Sequence, residues 1–128
     1  MTNNVVDSSA WLEYFADGPN AGHFAAAIED VSTLVVPSIT LLEVFERIAR
    51  QLDEASALRY VGVMQQARVA DLDAPLALRA AAVGSRHKLP LADSVIYATA
   101  QQYHGIVWTQ DSDFEGLDGV RFWPRVEP

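Results

Sequence analysis

The 128-residue chain contains no cysteine. That excludes disulfides, thiolate zinc sites and a cysteine nucleophile, and it fits a reducing compartment. Lysine is nearly absent, with Lys88 the single one, and 9 basic residues stand against 17 acidic ones for a formal charge of −8. A chain so charged does not grip nucleic acid broadly, because such binding draws on phosphate neutralisation. No apolar run is long enough to span a membrane, and the opening Met1-Thr2-Asn3-Asn4 has no basic region of the kind that begins a signal peptide. Neither common type of glycine-rich phosphate loop is present, nor a Gly-x-Ser-x-Gly elbow. His23, His87 and His104 are scattered, with no His-Glu-x-x-His pairing.

What is present is apolar: half of the residues are hydrophobic, enough for a real core in a chain of this length. The length suits a single domain over residues 1–128. Five short apolar runs read as strands, at 3–6, 33–36, 69–72, 106–109 and 120–123. Between them the pattern predicts helices over about 8–16, 21–29, 38–51, 53–68, 75–87 and 91–103. Ser8 or Ser9 can cap the first helix, Gly18-Pro19 stops it, Pro75 suits a first turn, and His104-Gly105 closes the last helix. Strands alternating with helices argue for an α/β sandwich around a mostly parallel sheet of about five strands. The tail from Arg125 reads as loose.

Four acids fall where these segments end or begin: Asp7, Glu43, Asp93 and Asp111. Ligands of open α/β sheets bind outside the carboxyl ends of the strands. Each acid also has an ordinary structural role open to it. Asp7 can cap the first helix. Glu43 can complete a capping box with Thr40, or pair with Arg47 one turn on, as Glu46 can with Arg50. Asp93 sits in the first turn of a helix, where the dipole favours an acid. That helix reads as mostly buried through Leu91, Ala92, Val95 and Ile96, however, and a buried carboxylate needs a partner. Asp111 and Asp113 lie in a loop after Thr109, whose hydroxyl can orient a ligand, and Asp113 ranks as a helper. Carboxylates converging without a basic partner repel one another unless a divalent cation sits among them. Together the acids suggest metal-assisted hydrolysis of a phosphodiester.

The motifs Val5-Val6-Asp7-Ser8-Ser9, Pro37-Ser38-Ile39-Thr40-Leu41-Leu42-Glu43-Val44, Leu91-Ala92-Asp93-Ser94-Val95-Ile96-Tyr97-Ala98 and Thr109-Gln110-Asp111-Ser112-Asp113-Phe114 stand in this order along nearly the whole chain. In that order the sequence resembles the PIN domain family, and within it the VapC-type toxin ribonucleases. The resemblance implies a PIN-like three-layer sandwich and an acidic pocket for Mg²⁺ or Mn²⁺, with Asp7, Glu43, Asp93 and Asp111 as ligands and Thr109 and Asp113 in support. It further implies an RNA substrate, tRNA or another structured RNA among the targets. A homodimer, a cognate antitoxin and a cytoplasmic location follow from the same likeness. Arg47, Arg50, Arg86 and Lys88 are candidates for an RNA-binding rim. Trp11, Tyr14, Phe15 and Phe45 serve either the core or a groove for an antitoxin helix. A non-cleaving PIN-like module that binds RNA or a partner is the alternative reading. A phosphoacceptor receiver-like domain would need a lysine near the fourth strand, and Lys88 lies elsewhere.

Overall fold

The structure is a computed structural model and describes residues 2–127. In chain order it forms β1 (Asn3–Val6), α1 (Ser8–Phe15), α2 (Ala21–Ile28), β2 (Leu34–Pro37), α3 (Ser38–Gln51), α4 (Glu54–Met64), β3 (Arg68–Ala70), α5 (Ala74–His87), α6 (Leu91–Gln102), β4 (Gly105–Thr109) and β5 (Val120–Phe122). All strand pairs are parallel, in the order β3-β2-β1-β4-β5. The chain therefore builds outward from β1 in one direction and then returns to add β4 and β5 on the other side. The gap between β1 and β4 is the point where strand order reverses, and open parallel sheets bind ligands there.

Alternation along the strands sorts the core into two layers. Val6, Leu34, Val36 and Trp108 pack under α1 to α4, with Trp11, Phe24, Val44 and Met64 among their buried partners. Val5, Val35, Ala70 and Val107 face α5 and α6, against Leu76, Val83, Ile96 and Phe114. The result is the three-layer α/β sandwich expected from the sequence. Continuing the alternation to the last residue of β4 and one step past β1 turns Thr109 and Asp7 towards the α6 side.

Several local expectations are corrected. The cap of α1 is Asp7, whose Oδ1 accepts the Ala10 amide at 2.9 Å, and not Ser8 or Ser9. Thr33 belongs to a 3-10 turn (Val31–Thr33) because its hydroxyl bonds back to Asp30. Pro37 ends β2 instead of following it, and α3 starts at the next residue with no loop between. Helix α4 stops at Met64, which leaves Arg68 free to pair with Val35. His104, and not Gly105, takes the left-handed conformation after α6, with φ +53. The face of α6 from Ser94 to Ala100 is buried, but Leu91 is 87% exposed. Pro124, just before the tail, is held through its carbonyl, which accepts from Asn20 Nδ2 at 3.0 Å, and Arg125 to Glu127 beyond it are exposed. Among the described residues no helix is long and apolar enough to cross a membrane.

Candidate metal centre

Asp7 is the most constrained acid of the chain. It is fully buried at the end of β1, and its own amide continues the sheet by donating to the Trp108 carbonyl. Three groups donate to its carboxylate: the Ala10 amide at 2.9 Å, the Ser9 hydroxyl at 2.8 Å and the Thr109 hydroxyl at 2.7 Å. Burial still prevails and pushes its pKa up to about 6, with the nearby Asp111 adding to the rise against the three donors. Its structural role as a helix cap and its place in the acidic cluster thus coexist.

Asp93 comes from the first turn of α6, and Asp111 and Asp113 from the turn after β4. One carboxylate oxygen from each of these three lies within 4.8 Å of the others. Asp113 reaches the cluster because a 3-10 turn (Ser112–Phe114) folds it back, with its amide on Asp111 Oδ1 at 2.9 Å and Phe114 buried as the anchor. Burial, then the charge of Asp111, then those of Asp7 and Asp113 push Asp93 up to about 8, beyond what the α6 dipole can offset. Among the described residues no arginine, lysine or histidine forms an ion pair with any of these acids.

Glu43 stands apart from that group. The anticipated capping box is absent: Thr40 lies within the first turn of α3 and its hydroxyl donates to the Pro37 carbonyl at 2.6 Å. Glu43 Oε1 instead accepts the Ser8 hydroxyl at 2.6 Å, which ties α3 to α1. The anticipated pair of Glu43 with Arg47 is likewise missing, while the Glu46–Arg50 pair does form, at 3.3 Å. Asp7, Glu43, Asp93 and Asp111 all line one cleft of about 530 Å³. Asp7 and Glu43 fall outside the tight oxygen cluster, and Asp113, ranked as a helper from sequence, falls inside it.

The cations and aromatics divide similarly. Arg47 and Arg50 line the cleft with the acids, and so does Arg125, which the sequence reading placed in a loose tail. Arg86 and Lys88 do not line it, and sit at the exposed end of α5. Trp11 is core, whereas Phe15 lines the acidic cleft and Phe45 a second, shallower groove with Leu41, Leu42 and Val61. The donor set of the cluster is oxygen only, without thiolate or imidazole, and it concentrates negative charge that the protein leaves unpaired. Those are the requirements of a hard divalent cation such as Mg²⁺ or Mn²⁺, so the residues present fit one.

The profile of the PIN domain family matches residues 5–120. No curated protein matches the chain by sequence. Solved structures share the fold at low identity. One is a toxin-antitoxin complex from Klebsiella pneumoniae, 23% identical, covering 93% of this chain and 96% of that one, with a TM-score of 0.78. A DNA-bound VapBC from Salmonella typhimurium is 19% identical over 97% and 98% of the two chains, with a TM-score of 0.73. VapC20 of Mycobacterium tuberculosis, a toxin that cleaves the sarcin-ricin loop, is 18% identical over 88% and 92%, with a TM-score of 0.72.

Proposed function

This chain belongs to the PIN domain family, and from that premise we propose that it is a metal-dependent endoribonuclease, the toxin of a type II toxin–antitoxin pair. The observation that carries the reading is the cluster of Asp93, Asp111 and Asp113 oxygens within 4.8 Å of one another, beside the fully buried Asp7. Asp93, Asp111 and Asp113 would hold the cation, with the buried Asp7 beside them and Glu43 lining the same cleft from α3. Mg²⁺ is the expected ion and Mn²⁺ its substitute. A divalent cation supplies positive charge to the scissile phosphate and acidifies a water for the attack.

The chain's own residues prepare that site. Ser9, Ala10 and Thr109 fix the Asp7 carboxylate in one orientation. Thr109 also receives the Asp111 amide at 2.8 Å, so one hydroxyl sets two acids from two strands. Ser8 holds one oxygen of Glu43, a residue that lines the acidic cleft. Burial and the neighbouring acids push the Asp93 carboxyl up to about 8, so a bound cation would compete with its proton.

The likeness to a toxin–antitoxin complex and to VapBC supports a cognate antitoxin as protein partner, and a homodimer is the proposed assembly of the toxin. RNA, tRNA or another structured RNA among the targets, is the substrate, and the cytoplasm is the place of action. The test is cleavage of total RNA by the purified protein, freed of any partner. Cleavage should require Mg²⁺, stop with EDTA and fall by roughly 100-fold or more in Asp93→Asn. Cleavage that survives both treatments would refute the reading, and metal binding without any cleavage would favour a non-cleaving module.

A further inference from the structure

Asn20 and Gln110 are buried amides, each 4% exposed, in a region where the sequence offers no reason to bury them. Buried amides are costly unless their donors and acceptors are used. Here they are used to fix chain segments. Asn20 Nδ2 donates both to Gln110 Oε1 at 3.1 Å and to the Pro124 carbonyl at 3.0 Å. Gln110 Nε2 reaches the Ser9 carbonyl at 3.4 Å, and the Asn20 amide donates to Glu13 Oε2 at 2.7 Å. Trp123 adds a further tie through its amide, on the Thr109 carbonyl at 3.0 Å. The end of β4, the start of α1 and the chain after β5 are thus locked together, immediately beside the acids. The next residue is Arg125, and it lines the acidic cleft.

Three arginines line that cleft, two from α3 and one from the chain after β5. Arg50 is engaged by Glu46. Neither Arg47 nor Arg125 forms an ion pair among the described residues, although carboxylates line the same cleft. On a chain of charge −8 these two are the cations placed to hold a polyanion against the acids. Guanidinium suits the task, because its planar fork matches phosphate oxygens.

We infer that Arg125, delivered by the Asn20–Gln110 amide pair, binds a backbone phosphate of the RNA strand next to the one held over the acid cluster, with Arg47 as its counterpart from α3. The inference rests on the ribonuclease reading above. It makes Asn20 and Gln110 positioning residues and gives the C-terminal segment a part in substrate binding.

The experiment is steady-state cleavage of a short single-stranded RNA of mixed sequence in Mg²⁺, across a range of salt concentrations. Arg125→Ala should raise KM about tenfold with kcat little changed, the signature of lost uniform binding. It should also flatten the salt dependence of kcat/KM by roughly 0.7 in the log–log slope, one phosphate contact on a single strand. Arg125→Lys should restore the slope, which a purely structural role would not do. Asn20→Ala should reproduce the KM rise without any change of charge, and Mn²⁺ titration should match wild type in all three variants. If Asn20→Ala does not fold, the Arg125 pair of variants still decides. Unchanged KM and slope in Arg125→Ala, or a slope that lysine fails to restore, overturns the inference while the ribonuclease reading stands. Wild-type protein that cleaves no RNA in Mg²⁺ overturns both.

Discussion

Thr109 Oγ1 donates to Asp7 Oδ2 at 2.7 Å, and the same oxygen accepts the Asp111 amide at 2.8 Å. Both partners sit at the strand-order reversal between β1 and β4, so a single hydroxyl couples the sheet edge to the acidic cluster. Thr109→Val keeps the side-chain shape and removes both bonds. Because Asp7 is fully buried, the change should cost about 1–3 kcal/mol of stability. It should also weaken metal binding by about 10- to 100-fold, as losses of orienting partners do. Thermal denaturation in EDTA and Mn²⁺ titration check the two effects, and unaltered metal affinity would separate Thr109 from the site.

The raised carboxyls give the metal-free protein an unusual pH dependence. Asp7 and Asp93 hold their protons more tightly folded than unfolded. The stability they contribute is therefore full below the ordinary value of 3.8 and is lost as pH rises through about 6 for Asp7 and about 8 for Asp93. The buried Asp7 alone accounts for on the order of 3 kcal/mol across that window. In EDTA the melting temperature should fall from about pH 5 to about pH 9, and Mg²⁺ should recover it most at the alkaline end. A melting temperature that is flat or rising over this range in EDTA would contradict the assignment of these shifts.

Ser8 and Glu43 offer a milder test. The 2.6 Å bond between them is half-buried and holds the glutamate to α1. Ser8→Ala should lower RNA cleavage about tenfold while stability stays within about 1 kcal/mol of wild type. Equal activity in Ser8→Ala and wild type would show that Glu43 needs no such positioning.

Helices α5 and α6 pack along each other, and Gly84 lies against Ser94 in that interface. A Cβ built there meets Ser94 Cβ at 2.9 Å, and Ser94 is one residue from Asp93. Gly84→Ala gains helix propensity, worth up to about 1 kcal/mol, but must push α6 away. The expected net loss is about 1–2 kcal/mol, with weakened metal binding because the first turn of α6 moves. Chemical denaturation with parallel Mn²⁺ titration measures both, and a stabilised variant would show that the interface yields freely.

Much of this architecture is legible from apolar periodicity alone. Val5-Val6, Val35-Val36 and Val107-Trp108 are continuous buried runs, as a sheet covered on both faces requires, and each lies within an observed strand. The features that escape the sequence depend on long-range closure. Asp113 reads as a loop acid because nothing local shows that Phe114 will bury and turn it inwards. The place of Arg125 in the cleft lining escapes the sequence because the bond that holds its neighbour Pro124 comes from Asn20, 104 residues earlier. Glu43 fits a capping-box pattern locally, and the competing Ser8 hydroxyl becomes visible only once α1 and α3 pack together. Leu91 looks like core by composition, but it is the first residue of α6 and is exposed.

The most direct test of the central claim is calorimetric titration of Mn²⁺ into the metal-free protein, wild type beside Asp93→Asn and Asp111→Asn, at about pH 6 and about pH 8. Wild type should bind, more tightly at the higher pH as the Asp93 and Asp7 protons become easier to displace, and each variant should bind far more weakly. Absence of binding at either pH, or binding that both variants retain in full, would contradict the account.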